Sequence, residues 1–140
     1  MLASGRLARS KSWIVILLDT DVLIAHLRGI EAAHRWMRSA RTSGPLCVSV
    51  VSITELTGGM RTNERREVWE LLSSLRAEPV TELIARRAGE FKRLYGRSHS
   101  GIGIADYLIG ATAEYHGAEL ATLNVRHFPM FPDLDPPFVL

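Results

Sequence analysis

The chain has 140 residues, 46% of them hydrophobic and 23% charged, which suits one domain with its own core and excludes a disordered or fibrous chain. Its formal net charge is +2, yet Arg6, Arg9 and Lys11 lie in a first segment of thirteen residues that holds no acid. The remainder has 14 basic against 15 acidic residues, so bulk charge gives no argument for a nucleic-acid partner. The single cysteine, Cys47, excludes an internal disulfide framework and a Cys-based zinc site.

Residues 1–12 read as a disordered leader ahead of a single domain over 13–140. The apolar run that follows, Trp13 to Leu18, is six residues and stops at Asp19. That is short of the ~7–15 residues of a signal-peptide core, and nothing approaches the ~20 of a membrane span, so a cytoplasmic location is expected. The β-branched run Ile14–Leu18 predicts a buried parallel strand. Helical spacing then resumes at Val22, Leu23, Ile24 and Leu27 and ends at Gly29. Glu31–Arg41 reads as a helix with Ala32, Trp36 and Ala40 on its inner face, stopped by Gly44-Pro45. Leu46–Val51 is the second predicted strand. Ser52-Ile53-Thr54-Glu55 has the spacing of a capping box and is expected to open a helix running to Gly58-Gly59.

Asn63 is expected to cap a helix that buries Val68, Leu71, Leu72 and Leu75. Pro79-Val80 reads as a short extended piece, and Thr81 as the cap of a long helix with Ile84, Ala88, Phe91 and Tyr95 inward. A Gly- and Ser-rich loop spans 96–103. Ile104–His116 is apolar on most faces, hence a central helix, closed by Gly117. Glu119–Leu123 is a further strand, and Phe138–Leu140 reads as a last edge strand. Strands alternating with helices predict an α/β fold: a three-layer α/β/α arrangement around a mostly parallel sheet of four or five strands.

Most acids lie on polar helix faces beside arginines. Asp19, Glu55, Asp106 and Asn124 do not. Asp19, Glu55 and Asn124 follow strands, and ligands of a parallel sheet bind beyond the carboxyl ends of its strands. Asp106 reaches the same edge from a helix start. Carboxylates gathered in one pocket raise one another's pKa unless a cation neutralises them, and hard oxygen donors suit Mg²⁺ or Mn²⁺. Each residue alone has a plainer role. Asp19 or Asp21 serves equally as a helix cap, Glu55 as the third position of its box, Asp106 as a partner of a helix dipole and Asn124 as a turn residue.

Taken together, Leu18-Asp19-Thr20-Asp21-Val22-Leu23-Ile24, Ser52-Ile53-Thr54-Glu55-Leu56, Ile104-Ala105-Asp106-Tyr107-Leu108-Ile109-Gly110-Ala111 and Ala121-Thr122-Leu123-Asn124-Val125-Arg126-His127-Phe128 resemble the PIN-domain nucleases, in particular the VapC-type toxins of toxin–antitoxin pairs. The resemblance covers roughly Ile14 to Phe138. It implies a PIN-like fold and a catalytic set of Asp19, Glu55, Asp106 and Asn124, with Asp19, Glu55 and Asp106 as ligands of one Mg²⁺ and Mn²⁺ as its substitute. Asn124 matches a position that is often Asp in the wider family, so a second metal site is left open. Thr20 and Thr122 match ligand-orienting positions, and Asp21 a variable one. The implied activity is endonucleolytic cleavage of structured RNA by metal-activated water, leaving 5′-phosphate and 3′-hydroxyl ends. Arg61, Arg65, Arg66, Arg97 and Arg126, with His99, are candidates to hold the strand, each with surface solubility as its plain alternative. His127 is expected to order the closing segment with Phe128. The resemblance also implies a VapB-like antitoxin, homodimerisation through the helices near 52–75, and a heterotetramer or larger assembly with the antitoxin.

Other readings remain beside it. A haloacid-dehalogenase-like phosphatase also places Asp-x-Asp after its first strand, but Leu23 stands where that pattern wants Thr or Val, and the later paired acids and lysine are missing. An inactive PIN-like binding module draws support only from Asn124. A housekeeping RNA-processing PIN nuclease stays open, though the compact chain without an added RNA-binding domain favours a toxin.

Overall fold

The computed structural model describes residues 14–140, so the expected leader over 1–12 lies outside the described residues. Strands β1 (Ile16–Leu18), β2 (Leu46–Ser49), β3 (Arg76–Glu78) and β4 (Glu119–Ala121) form one sheet in the order β3-β2-β1-β4, every pair parallel. Six α-helices connect and cover it among the described residues: α1 (Thr20–Leu27), α2 (Glu31–Ala40), α3 (Val50–Gly59), α4 (Arg65–Ser73), α5 (Glu82–Tyr95) and α6 (Ile104–His116).

The period-2 alternation of β1 builds the three layers. Ile16 and Leu18, with Leu46, Val48 and Ala121, face a cluster closed by Val22 and Leu23 of α1, Met37 of α2, Leu56 of α3 and Leu71 of α4. Leu17, Cys47 and Leu120 point the other way, onto Ile109 and Ala113 of α6 and onto Phe128. On that side α5 packs outside α6 through Ile84, Ala88, Phe91, Tyr107 and Ala111. Gly110, in the middle of α6, faces the closing segment that packs against the helix. A Cβ there would meet Met130 Sδ at 3.4 Å and Phe128 Cδ1 at 3.5 Å. Gly117 ends α6 in the left-handed region at φ 61°, as its type allows.

Several expected boundaries are corrected. Strand β2 stops at Ser49, and Val50-Val51 form the first turn of α3. The cap of α3 is Ser49, whose Oγ accepts from the Val51 amide at 3.1 Å. Ser52 therefore lies inside the helix, and Ser52–Glu55 is no capping box. Asn63 caps nothing. It sits in a 3-10 turn (Thr62–Glu64), where Glu64 Oε1 accepts from the Arg61 amide at 2.7 Å. The inner face of α2 is Ala33, Met37 and Ala40, with Trp36 half-buried at its rim. The extended piece precedes Pro79-Val80 as β3, β4 ends at Ala121 rather than Leu123, and Phe138–Leu140 forms no strand. Thr81 caps α5 as expected, with Oγ1 accepting from the Ile84 amide at 3.3 Å.

Candidate active site

Because all four strands are parallel and β1, β2 and β4 end in register, the segments after them emerge at one edge. The Asp19 amide extends the β1–β4 ladder by donating to Ala121 O at 2.8 Å. Its side chain turns back as the N-cap of α1, with Oδ1 accepting from the Thr20 amide at 2.8 Å. The plain capping role is thus filled by Asp19, the residue that the resemblance makes a candidate ligand. Oδ2 accepts from Thr122 Oγ1 at 2.7 Å. Asp19 is 6% exposed. Burial, then the neighbouring Asp21 charge, push its carboxyl up to about 7, while the Thr122 and Thr20 hydrogen bonds pull it down.

Asp21, which the resemblance matches to a variable position, joins the same cluster. Its Oδ2 accepts from the Leu123 amide at 3.0 Å and lies 3.4 Å from Thr122 Oγ1, pinning the segment after β4 to α1. Its Oδ1 is buried without a hydrogen-bond partner among the described residues. Burial raises this carboxyl too. The only sequence signal for this role was its charge, two residues after Asp19.

Thr20 Oγ1 lies 2.8 Å from Ser52 Oγ and 2.5 Å from Glu55 Oε1. With one proton to give, it donates to the carboxylate and accepts from Ser52. That contact fastens exposed Glu55 to the start of α1. Ser52, fully buried, is a site support that its expected capping role concealed. Asp106, in the first turn of α6, has Oδ2 3.1 Å from the Gly103 amide and 3.1 Å from His127 Nδ1. Its charge acts on both Asp19 and Asp21. Asn124 is exposed; its amide nitrogen on the backbone donates to Thr122 Oγ1 at 3.0 Å, and its Nδ2 lies 3.0 Å from His127 Nδ1. Asp19, Asp21, Asp106, Thr122 and Asn124 are thus joined, with Glu55 attached through Thr20.

Among the described residues no three His, Cys, Asp or Glu side chains stand placed to hold a metal ion together. The donors nonetheless fit a hard divalent cation. Asp21 Oδ1 is a buried carboxylate oxygen with no donor among the described residues, and Asp19 is raised by burial and by the neighbouring Asp21 charge. Mg²⁺ commonly keeps several waters and takes only one or two carboxylates. Of the candidate basic residues, Arg61 lines a groove of about 400 Å³ with Glu55, Leu27, Leu56 and Met60. Arg61, Arg97 and Arg126 are exposed and make no ion pair among the described residues, whereas Arg66 lies 3.5 Å from Glu70.

The PIN domain family model matches residues 16–131. Ribonuclease VapC10 of Mycobacterium tuberculosis is 64% identical over 126 residues, covering 90% of this chain and 95% of that protein. Ribonuclease VapC19 of the same species is 43% identical over 87% of this chain and 98% of its own length. Among solved structures, a toxin–antitoxin complex from Klebsiella pneumoniae superposes with a TM-score of 0.74 at 23% identity, over 89% of this chain and 99% of that one. VapBC2 from Rickettsia felis, bound to a DNA fragment from its promoter, gives 0.73 at 18%, over 86% and 96%. These two likenesses show the fold. With the family model spanning the sheet edge and every site segment, the chain belongs to the PIN-domain family.

Proposed function

We propose that this chain is a Mg²⁺-dependent endoribonuclease and the toxin of a toxin–antitoxin pair. The observation that carries the reading is the buried carboxylate pair at the sheet edge: Asp19, raised to about 7, beside Asp21 with a buried oxygen that has no partner among the described residues. Such a pair is costly to bury unless a cation joins it. The 64% identity to a protein named a ribonuclease supports RNA as the substrate. Likeness to VapBC complexes supports a VapB-like antitoxin as partner; a toxin homodimer within a larger assembly is part of the reading on the family resemblance alone.

In this reading Asp19, Glu55 and Asp106 would hold the cation, with the Asp21 charge beside it, and Mn²⁺ would substitute for Mg²⁺. When bound, the cation supplies activation of a water and stabilises charge on the phosphoryl oxygens of an in-line displacement. The chain's own groups do the rest. Thr122 and the Thr20 amide hold the two oxygens of Asp19, and Thr20 Oγ1 holds Glu55. Asn124 borders the site from the segment after β4. Arg61, Arg97 and Arg126 offset the acidic edge for an approaching phosphate backbone, so binding weakens with salt. Cleavage leaves 5′-phosphate and 3′-hydroxyl ends.

The test is cleavage of a total RNA pool by purified protein with Mg²⁺, with chelator, and by Asp19→Asn. Discrete metal-dependent fragments that vanish in the variant support the reading. Equal cleavage by the variant refutes the site, and no cleavage by the parent despite cation binding refutes the activity.

A further inference from the structure

Asp106 uses its two carboxylate oxygens unequally. Oδ2 faces both the Gly103 amide and His127 Nδ1, each at 3.1 Å, while Oδ1 accepts no hydrogen bond among the described residues. His127 Nδ1 also stands 3.0 Å from Asn124 Nδ2. One imidazole nitrogen cannot donate to a carboxylate and accept from an amide at once. If it accepted from Asn124, its lone pair would face the lone pairs of Asp106 Oδ2. Donation from Nδ1–H to the carboxylate is charge-assisted and favoured. Turning the Asn124 amide over places its carbonyl oxygen at the same spot, and a single Nδ1–H then serves both acceptors; amide nitrogen and oxygen are nearly isosteric.

We propose that His127 is the positioning residue for Asp106. Together with the Gly103 amide it ties Oδ2, so that Oδ1 is the oxygen left for the cation, and it orients Asn124 with the same proton. The Gly103 bond comes from the preceding loop and the His127 bond from the 3-10 turn Val125–His127, so the carboxylate is clamped between two independent segments. Such a clamp explains a polar side chain, 32% exposed, directed inward beside fully buried Phe128. This inference rests on the metal-dependent reading above and deepens it. Groups that hold a metal ligand in place typically carry a 10–100-fold effect on metal affinity.

The experiment is calorimetric titration of Mn²⁺ alone, without RNA, into the full-length parent and into His127→Asn, His127→Gln and His127→Ala at one fixed pH, with thermal melts of each. The Asn side-chain nitrogen falls where imidazole Nδ1 stands, whereas Gln reaches the Nε2 position. His127→Asn is therefore expected to bind within about 3-fold of the parent, and His127→Gln and His127→Ala about 10-fold more weakly. Parent-like affinity in His127→Ala overturns the proposal. So does equal weakening in all three variants that follows their melting temperatures, because it assigns His127 to packing alone. If the parent binds no Mn²⁺, the metal reading itself falls and takes this one with it. If the parent binds Mn²⁺ and cleaves no RNA, the activity fails while the ranking of variants still decides the role of His127.

Discussion

Thr122 Oγ1 stands where three demands meet: Asp19 Oδ2 at 2.7 Å, the Asn124 amide at 3.0 Å and Asp21 Oδ2 at 3.4 Å. Its one proton goes to Asp19, the shortest contact, and its lone pair takes the amide. In a site where burial already disfavours the Asp19 charge, this is one of two hydrogen bonds that favour it. Thr122→Val keeps the volume and removes the hydroxyl. The expected result at pH 8, where Asp19 is ionised, is a loss of ~1–3 kcal/mol in urea unfolding and a further rise of the Asp19 pKa, read by NMR titration. Thr122→Ser, which restores the hydroxyl, should recover most of both. Asp21→Asn retains an oxygen for the Leu123 amide and removes the second negative charge, so the Asp19 pKa should fall toward the usual carboxylate range. An unchanged Asp19 would mean that burial alone raises it.

At the level of elements, the cap of α3 decides where Glu55 points. With Ser49 as the cap and Val50 as the first helical residue, Glu55 lies in the second turn, one turn beyond the position a Ser52 cap would give it. There it meets Thr20 at the start of α1. Ser49→Ala should cost about 1 kcal/mol of stability as a lost N-cap, measured by urea unfolding. Ser52→Ala should leave α3 intact and loosen the Thr20–Glu55 contact, so its larger effect should fall on Mn²⁺ affinity. The opposite ranking would restore Ser52 as the cap.

The reason this boundary was illegible is physical. Leu46-Cys47-Val48-Ser49-Val50-Val51 is one β-branched, apolar stretch, and periodicity cannot separate a buried strand from a buried helical turn within it. Two serines three residues apart each offered a cap, and only tertiary packing chose between them. By contrast, Asp19 after β1, Thr81 before α5 and Gly117 after α6 were readable, because an abrupt polar or glycine residue at the end of an apolar run leaves little choice. The families of strands and helices, and hence the parallel sheet, followed from those marks. Asp106–His127 and Asp21–Leu123 were not readable, because each joins segments far apart in the chain through a contact that has no local pattern.

For the molecule as a whole, the acidic edge ties stability to pH and to the cation. Asp19 titrates near 7 in the fold against 3.8 in an unfolded chain. Between those values the native state holds a proton that the unfolded state has released, so stability is full below about 4 and falls as pH rises toward 7. Asp21, also raised by burial, acts in the same direction. His26 opposes them: burial and the stacked His34 lower its pKa, so its contribution grows as pH rises toward 6.5. The sum is separated by comparing the parent with Asp19→Asn, which removes the first contribution together with its coupling to Asp21 and leaves that of His26. Between pH 4 and 8 the metal-free parent should lose a few kcal/mol relative to the variant, on the order of 10 °C in melting temperature. Saturating Mg²⁺ should abolish most of that difference, because a bound cation keeps Asp19 ionised without its proton and stabilises the native state by mass action. Parallel pH profiles for parent and variant in chelator would show that the fold bears no charge penalty at Asp19, and the case for a cation at that edge would then lose its electrostatic basis.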